Sequence, residues 1–290
     1  MSFSINGFLI PLNKGHATSP GWTTATQKKP MGVTWHWTAM EKLKNARNVL
    51  GGNNTKKSRV SSHYCIGRDF AEGVDRYVTL ENRSWHAGID QKMRWDGAKS
   101  TNDTKGARAC VGIETCNVGY ERPGHPAESN WIEYANTDCK WRMKIQPWTD
   151  EQIEMMIHVG REIVERWPHI EWQHHHGHHD ICPGYKQDVA GFPFAQVLRG
   201  IYGDDIPDVW SALWSPESRQ RILIALGYDL GTWLDDGDWG HFSHRALAQF
   251  QTDQGSLVVP HWTTFTCIDA YRECERRGLD FESIAEKSLQ

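Results

Sequence analysis

The stretch "MGVTWHWTA", residues 31–39, changes character at every step. Val33, Trp35 and Trp37 fall on one side of an extended chain, and Thr34, His36 and Thr38 on the other, because successive strand side chains point to opposite faces. This reads as a strand whose bulky face joins a core and whose polar face presents one histidine. Next comes "EKLKNARNVLGG" (41–52), a short helix stopped by Gly51 and Gly52. Residues 58–78, "SRVSSHYCIGRDFAEGVDRYV", give two strands joined by a polar turn between Arg68 and Gly73. "CVGIETCNV" (110–118) is a further strand, with Val111, Ile113 and Thr115 on one face and Gly112, Glu114 and Cys116 on the other. "TDEQIEMMIHVGREIVERWPHI" (149–170) is the clearest helix. Thr149 and Gln152 form a capping box, Ile153, Met156, Ile157, Gly160, Val164 and Trp167 recur at helical spacing, and Pro168 ends it.

Strands interleaved with helices up to about residue 200 define an α/β domain with a mixed central sheet flanked by helices. We take residues 1–204 as this domain and 205–214 as a linker, and expect a small all-α domain over 215–290. In that last part Ser215 caps a helix with Pro216 at its first position, and "RQRILIALGYDLG" and "HFSHRALAQFQTDQG" read as helices around the loop "DDGDWG". The 290 residues suffice to bury a sizeable core. A formal charge of -4 argues against a general nucleic-acid binder. Tryptophan is in excess, at 15 residues, which favours large cores over exposed stacking surfaces. Seven cysteines without a CxxC pair are not a disulfide framework and read mostly as buried thiols. No basic leader and no run of 18 apolar residues is found. We therefore expect synthesis in the cytoplasm without a signal peptide, a monomer, and no membrane span.

The chemistry concentrates in "HHHGHHDICPGYKQDVAG" (174–191). His178 is followed ten residues later by Asp188, with Lys186 two residues before the aspartate. Zinc accepts histidine nitrogen and carboxylate oxygen, and catalytic sites use three protein ligands plus water. His36, His178 and Asp188 could supply such a set. Glu114 could move a proton between water and a leaving nitrogen, and Lys186 could stabilise an oxyanion. Together they describe hydrolysis of an amide or ester; the alternative is a solvated histidine-rich loop with an ordinary ion pair. Under strict alternation His174 and His176 share the face of His178 and would line the cleft, while His175 and His179 have no evident role.

The segments "VTWHWTA", "SSHYCIGRD", "RSWHAG", "VGIETCN" and "GHHDICPGYKQD" occur in the order and near the spacings of the zinc-dependent N-acetylmuramoyl-L-alanine amidases of type 2, which share the fold of peptidoglycan recognition proteins. The resemblance covers residues 30–198. It implies zinc held by His36, His178 and Asp188, Glu114 and Lys186 as catalytic residues, and His86, Trp85 and His63 as substrate contacts. The family's "DPG" is here "DVAG", with Val189 in place of proline, and Ser62 occupies a position where some members carry tyrosine. Residues 212–278 resemble a small peptidoglycan-binding domain through "LGYDLG" and "DDGDWG", but "SLVVPHWTT" replaces the usual second Asp-Gly turn. The expected partner is peptidoglycan, the expected role cell-wall lysis after release, as in an endolysin. Two other readings are a cytoplasmic enzyme recycling soluble anhydro-muropeptides and a recognition module that binds without cutting.

Overall fold

The structure, a computed structural model, describes residues 3–7, 18–19, 29–50, 60–87, 109–136, 142–232, 234–256 and 258–286. In chain order the strands are β1 (Ile5–Gly7), β2 (Thr18–Ser19), β3 (Gly32–Trp37), β4 (Tyr64–Ile66), β5 (Val74–Arg76), β6 (Arg83–Ser84), β7 (Cys110–Thr115), β8 (Ile132–Ala135), β9 (Arg142–Ile145) and β10 (His175–Gly177). The helices are α1 (Leu43–Leu50), α2 (Asp150–Arg166), α3 (His178–Ile181), α4 (Phe194–Tyr202), α5 (Pro216–Ala225), α6 (His241–Asp253), α7 (Thr264–Arg276) and α8 (Phe281–Glu286). The glycines expected to stop α1, and Cys139, lie outside the described residues.

Six strands form one sheet in the order β1-β5-β4-β7-β3-β10. β3 runs parallel to both β7 and β10, and β4 runs parallel to β7. The hairpin partner β5 is antiparallel to β4, so the sheet is mixed. Alternation sorts its side chains onto two buried faces. Val33, Trp35, Tyr64, Ile66, Val111 and Ile113 join the core that includes Met155, Met156, Val159 and Ile163 of α2. Cys65 and Cys116, of opposite parity, pack with Leu43, Ala46 and Leu50 of α1. The polar face of β3 is thus covered as well: Thr34 and His36 are both buried. Glycines set the approach of α2 to α4, since a methyl group at Gly160 would overlap Ile201 and one at Gly200 would overlap Ile157.

The capping box at Thr149 and Gln152 forms as the sequence predicts. Gln152 does more than cap. Its amide nitrogen donates to Gly67 O at 3.1 Å and Cys116 O at 2.6 Å, and its oxygen accepts from Arg68, so one buried side chain ties α2 to the ends of β4 and β7. Ser215 likewise caps α5, accepting from Ser218 N at 3.1 Å, with Pro216 at the first position. The stretch 205–214, which reads as a linker, buries Ile206, Val209, Trp210 and Trp214 in the same core as Phe192, Phe194, Phe250 and Trp262. Buried tryptophans also include Trp35 and Trp239, whereas Trp85 is exposed. Among the described residues no helix is long and apolar enough to cross a membrane.

Gln152→Ala strands two buried carbonyls, each costing about 1–3 kcal/mol, and frees Arg68 Nη1, whereas Thr149→Ala removes one cap bond worth about 1 kcal/mol and one donation to Arg68 O. Urea unfolding is expected to show the larger loss for Gln152→Ala; equal midpoints would mean that its cross-links to β4 and β7 carry no weight.

Candidate metal centre and active site

Parallel register assembles the site. In the β3–β7 ladder His36 stands directly opposite Glu114. In the β3–β10 ladder Val33, Thr34 and Trp35 stand opposite His175, His176 and Gly177. The next residue of that chain, His178, opens α3 at the carboxyl end of the strand. His36 Nδ1 lies 3.1 Å from His178 Nδ1 and 3.0 Å from Asp188 Oδ2, and His178 Nδ1 lies 2.9 Å from the same oxygen. All three side chains are buried.

Hydrogen bonds assign the His36 tautomer. His86 Nε2 lies 3.0 Å from Cys110 O, an acceptor only, so it carries hydrogen. Burial, helped by the nearby His36 and His63, lowers the His86 pKa well below the usual imidazole range, so the ring is neutral and Nδ1 is an acceptor. His36 Nε2, 2.9 Å away, must then donate to it. Burial and the adjacent His178 lower the His36 pKa to about 4, leaving Nδ1 as the acceptor nitrogen, 3.1 Å from His178 Nδ1. Asp188 is held far below the usual carboxylate range: burial opposes its charge, but the adjacent His178 outweighs burial. A proton can bridge one edge of this triangle, whereas a cation can take all three vertices. Zinc ligands at about 2.0–2.2 Å from the metal lie roughly 3.3 Å apart in a tetrahedron, so these nitrogen and oxygen donors, now 2.9–3.1 Å apart, need to spread only slightly to take up an ion. Among the described residues these three form the one group placed to hold a metal ion.

Glu114 flanks the triangle on β7. Its Oε2 is buried and has no hydrogen-bond partner. Burial raises its pKa well above the ordinary value, the Asp188 charge adds to this, and the Lys186 ammonium opposes it. Lys186 acts electrostatically on His36 as well, so its charge reaches both sides of the site. The Lys186 ammonium sits 5.4 Å from the ring centre of Tyr185, whose side chain is largely in solvent. Trp85 is exposed beside the nearly buried His86. Gly112 makes room for that histidine: a methyl group there would overlap the His86 ring.

Three of the expected histidines are engaged within the protein. His63, expected to touch substrate, is fully buried and committed to the protein. Its Nδ1 accepts from Gly112 N at 3.0 Å and Ser84 Oγ at 2.9 Å, and its Nε2 donates to Asn82 O at 2.8 Å. Burial lowers its pKa to about 4, which keeps the ring neutral as those bonds require. His174 does not line the cleft, because it closes the 3-10 turn Trp172–His174 and accepts from Glu171 N at 2.9 Å. His176 does share the face of His36 but is sealed off, bonded to Thr34 Oγ1 at 2.8 Å and covered by Phe265, 5.5 Å between ring centres.

Two roles were missed. His175 accepts from Trp35 Nε1 at 3.1 Å and meets the Tyr202 hydroxyl at 2.9 Å. His179 grips the chain at Asp188: its backbone N–H donates to Asp188 O at 2.5 Å and its Nδ1 accepts from Val189 N at 3.0 Å. The one sequence signal for this is the neighbouring position of His179 beside a ligand candidate.

The profile of the N-acetylmuramoyl-L-alanine amidase family matches residues 26–189, more than half of the chain. The chain belongs to that family and is a peptidoglycan amidase. AmpDH3 from Pseudomonas aeruginosa, solved in complex with anhydromuramic pentapeptide, is similar in fold, with a TM-score of 0.50 at 18% identity over 88% of this chain and 95% of its own. AmiD from E. coli, an N-acetylmuramyl-L-alanine amidase, aligns at 21% identity over 87% of this chain and 91% of its own, with a TM-score of 0.48. No curated protein sequence matches the chain.

Two measurements follow from the geometry. Gly112→Ala displaces His86 and with it the hydrogen bond that sets the His36 tautomer, so metal affinity is expected to fall about 10–100-fold in chelator competition; unchanged affinity would separate His86 from the site. A carboxyl whose folded pKa is raised stabilises the fold below its unfolded pKa of about 4.3 and loses that contribution as pH rises through the folded value. Metal-free Glu114→Gln should therefore melt above the parent protein at pH 7, with the gap narrowing towards pH 4.

Proposed function

We propose that the chain uses zinc to hydrolyse the amide between N-acetylmuramic acid and the L-alanine of peptidoglycan. The observation that carries this reading is the triangle of His36 Nδ1, His178 Nδ1 and Asp188 Oδ2 beside a buried carboxylate oxygen without a partner. These three residues would hold the metal, which when bound supplies a Lewis acid for the carbonyl oxygen and acidifies water. Glu114 takes a proton from water through its free Oε2 and returns it to the departing nitrogen of L-alanine. A pKa raised by burial makes Glu114 a stronger base than an exposed carboxylate, which favours taking the proton from water. Lys186 brings positive charge towards the oxygen on which negative charge develops. Trp85 and His86 border the substrate, and the exposed Tyr185 adds an aromatic rim.

The substrate in this reading is the polymeric wall, reached after release of the protein from the cell that makes it. Residues 215–290 supply a second contact with the glycan, supported by the exposed apolar side chains Leu234 and Phe242. A second contact on a multivalent surface raises the effective concentration of the enzyme there. A recognition module without cutting fits less well, because all three candidate ligands are present and converge.

Mass spectrometry of digested sacculi tests the reaction. Free stem peptides beginning with L-alanine are expected, and Glu114→Gln should retain one zinc per chain while releasing none. Undiminished release by that variant would remove Glu114 from the mechanism. Preference for soluble anhydro-muropeptides over sacculi would shift the role from lysis to recycling.

A further inference from the structure

The segment "SLVVPHWTT" departs from the peptidoglycan-binding pattern, and two of its residues, His261 and Thr264, meet the loop carrying the candidate ligands. A methyl group at Gly184 would come within 2.8 Å of His261 Cε1. Phe265 lies over His176. Trp214, at the start of the same C-terminal part, meets the His179 ring edge-on at 4.9 Å between centres. The most specific contact is polar. Asp180, buried, accepts from Gly177 N at 2.7 Å through one carboxylate oxygen and from Thr264 N at 2.7 Å through the other. His179 Nε2 stands 3.2 Å from that second oxygen. Thr264 is the first residue of the 13-residue helix α7, where backbone N–H groups lack helical partners and favour negative charge.

We propose that α7 is a positioning element of the catalytic site: the Thr264 amide anchors Asp180, and Asp180 fixes the first turn of α3, from which His178 projects. The C-terminal helices are then part of the active-site scaffold as well as any wall contact they make. The mechanism is that of an outer-shell partner, in which a group one step removed from the metal holds a ligand in its productive orientation, at a typical value of about 10–100-fold in affinity. None of the four contacts involves the candidate ligands themselves, so their loss leaves the donor set intact. The inference rests on the reading of His178 as a zinc ligand.

The anchoring hydrogen bond can be removed almost alone. Proline lacks the amide hydrogen yet is tolerated at the first position of a helix. The preceding Thr263 has φ -122 and ψ 169, the extended conformation that proline demands of its predecessor. Thr264→Pro therefore deletes the donor while sparing the helix. Thr264→Val is the control, since it keeps the amide and replaces only a hydroxyl that has no partner. Metal-free Thr264→Pro is expected to exchange the amide hydrogens of residues 177–182 at least tenfold faster than Thr264→Val, at a melting temperature within a few degrees of it. Its zinc affinity in chelator competition should drop about 10–100-fold, and the visible spectrum of the cobalt-substituted site should change. Exchange and affinity equal to those of Thr264→Val overturn the proposal. If Thr264→Pro does not fold, Asp180→Asn decides on the same readouts, because its amide can accept from Gly177 or Thr264 but not from both. If the parent protein binds no zinc, the zinc reading fails on its own, and the exchange rates still decide whether α7 holds the loop.

Discussion

The parallel pairing of β3 with β7 on one side and β10 on the other is the constraint from which the site follows. A parallel ladder places residues of matched register side by side on the same face. His36 and Glu114 are thereby abreast, and the chain leaving β10 delivers His178 to the same edge. Residues 36, 114 and 178 come together through main-chain hydrogen bonds laid down before any side chain is considered. A slip of one residue in either ladder would turn the partner side chain to the other face, into the apolar layer of Trp35, Ile113 and α2. The same register that builds the core therefore protects the chemistry.

Burial sets the second condition. Isolated charge in such surroundings is costly, and His36 and His86 respond by staying neutral. Their neutrality gains direction from a relay that starts at a strand carbonyl, passes through His86 and ends with the lone pair of His36 Nδ1 pointing into the triangle. Gly112 is part of that relay through the side chain it lacks. Asp188 keeps its charge because His178 faces it at 2.9 Å. Glu114 has no such company, and its raised pKa expresses the same desolvation that sharpens its proton-transfer role.

Much of this was legible because it is periodic or local. Alternation in residues 31–39 marks β3 and the face of His36, and Thr149 with Gln152 marks the start of α2. The histidine run misled for a related reason. Alternation was extended over five residues, but the strand holds for three, from His175 to Gly177, between a 3-10 turn and a helix. At His63 nothing local shows that three groups distant in sequence occupy its ring. The turn-forming composition of residues 205–214 signals a change of direction and says nothing of burial; Trp210 and Trp214 there join the core.

The placement of the C-terminal helices changes how the ligand loop should be understood. Between Gly177 and Asp188 the chain carries one helix of four residues, His178–Ile181, too short to be stable by itself. Among the described residues no disulfide braces this stretch, and its one cysteine, Cys182, is a free thiol. Yet two of its residues, His178 and Asp188, must be held within a fraction of an ångström for the donor atoms to converge. Rigidity has to come from contacts outside the loop. His179 supplies one from within, by gripping both sides of the Asp188–Val189 peptide, and α7, Phe265 and Trp214 supply others from beyond residue 210. A loop whose order is borrowed in this way ties the geometry of the His36, His178 and Asp188 donor set to packing beyond the loop, and variation in the C-terminal helices then reaches that set without touching it.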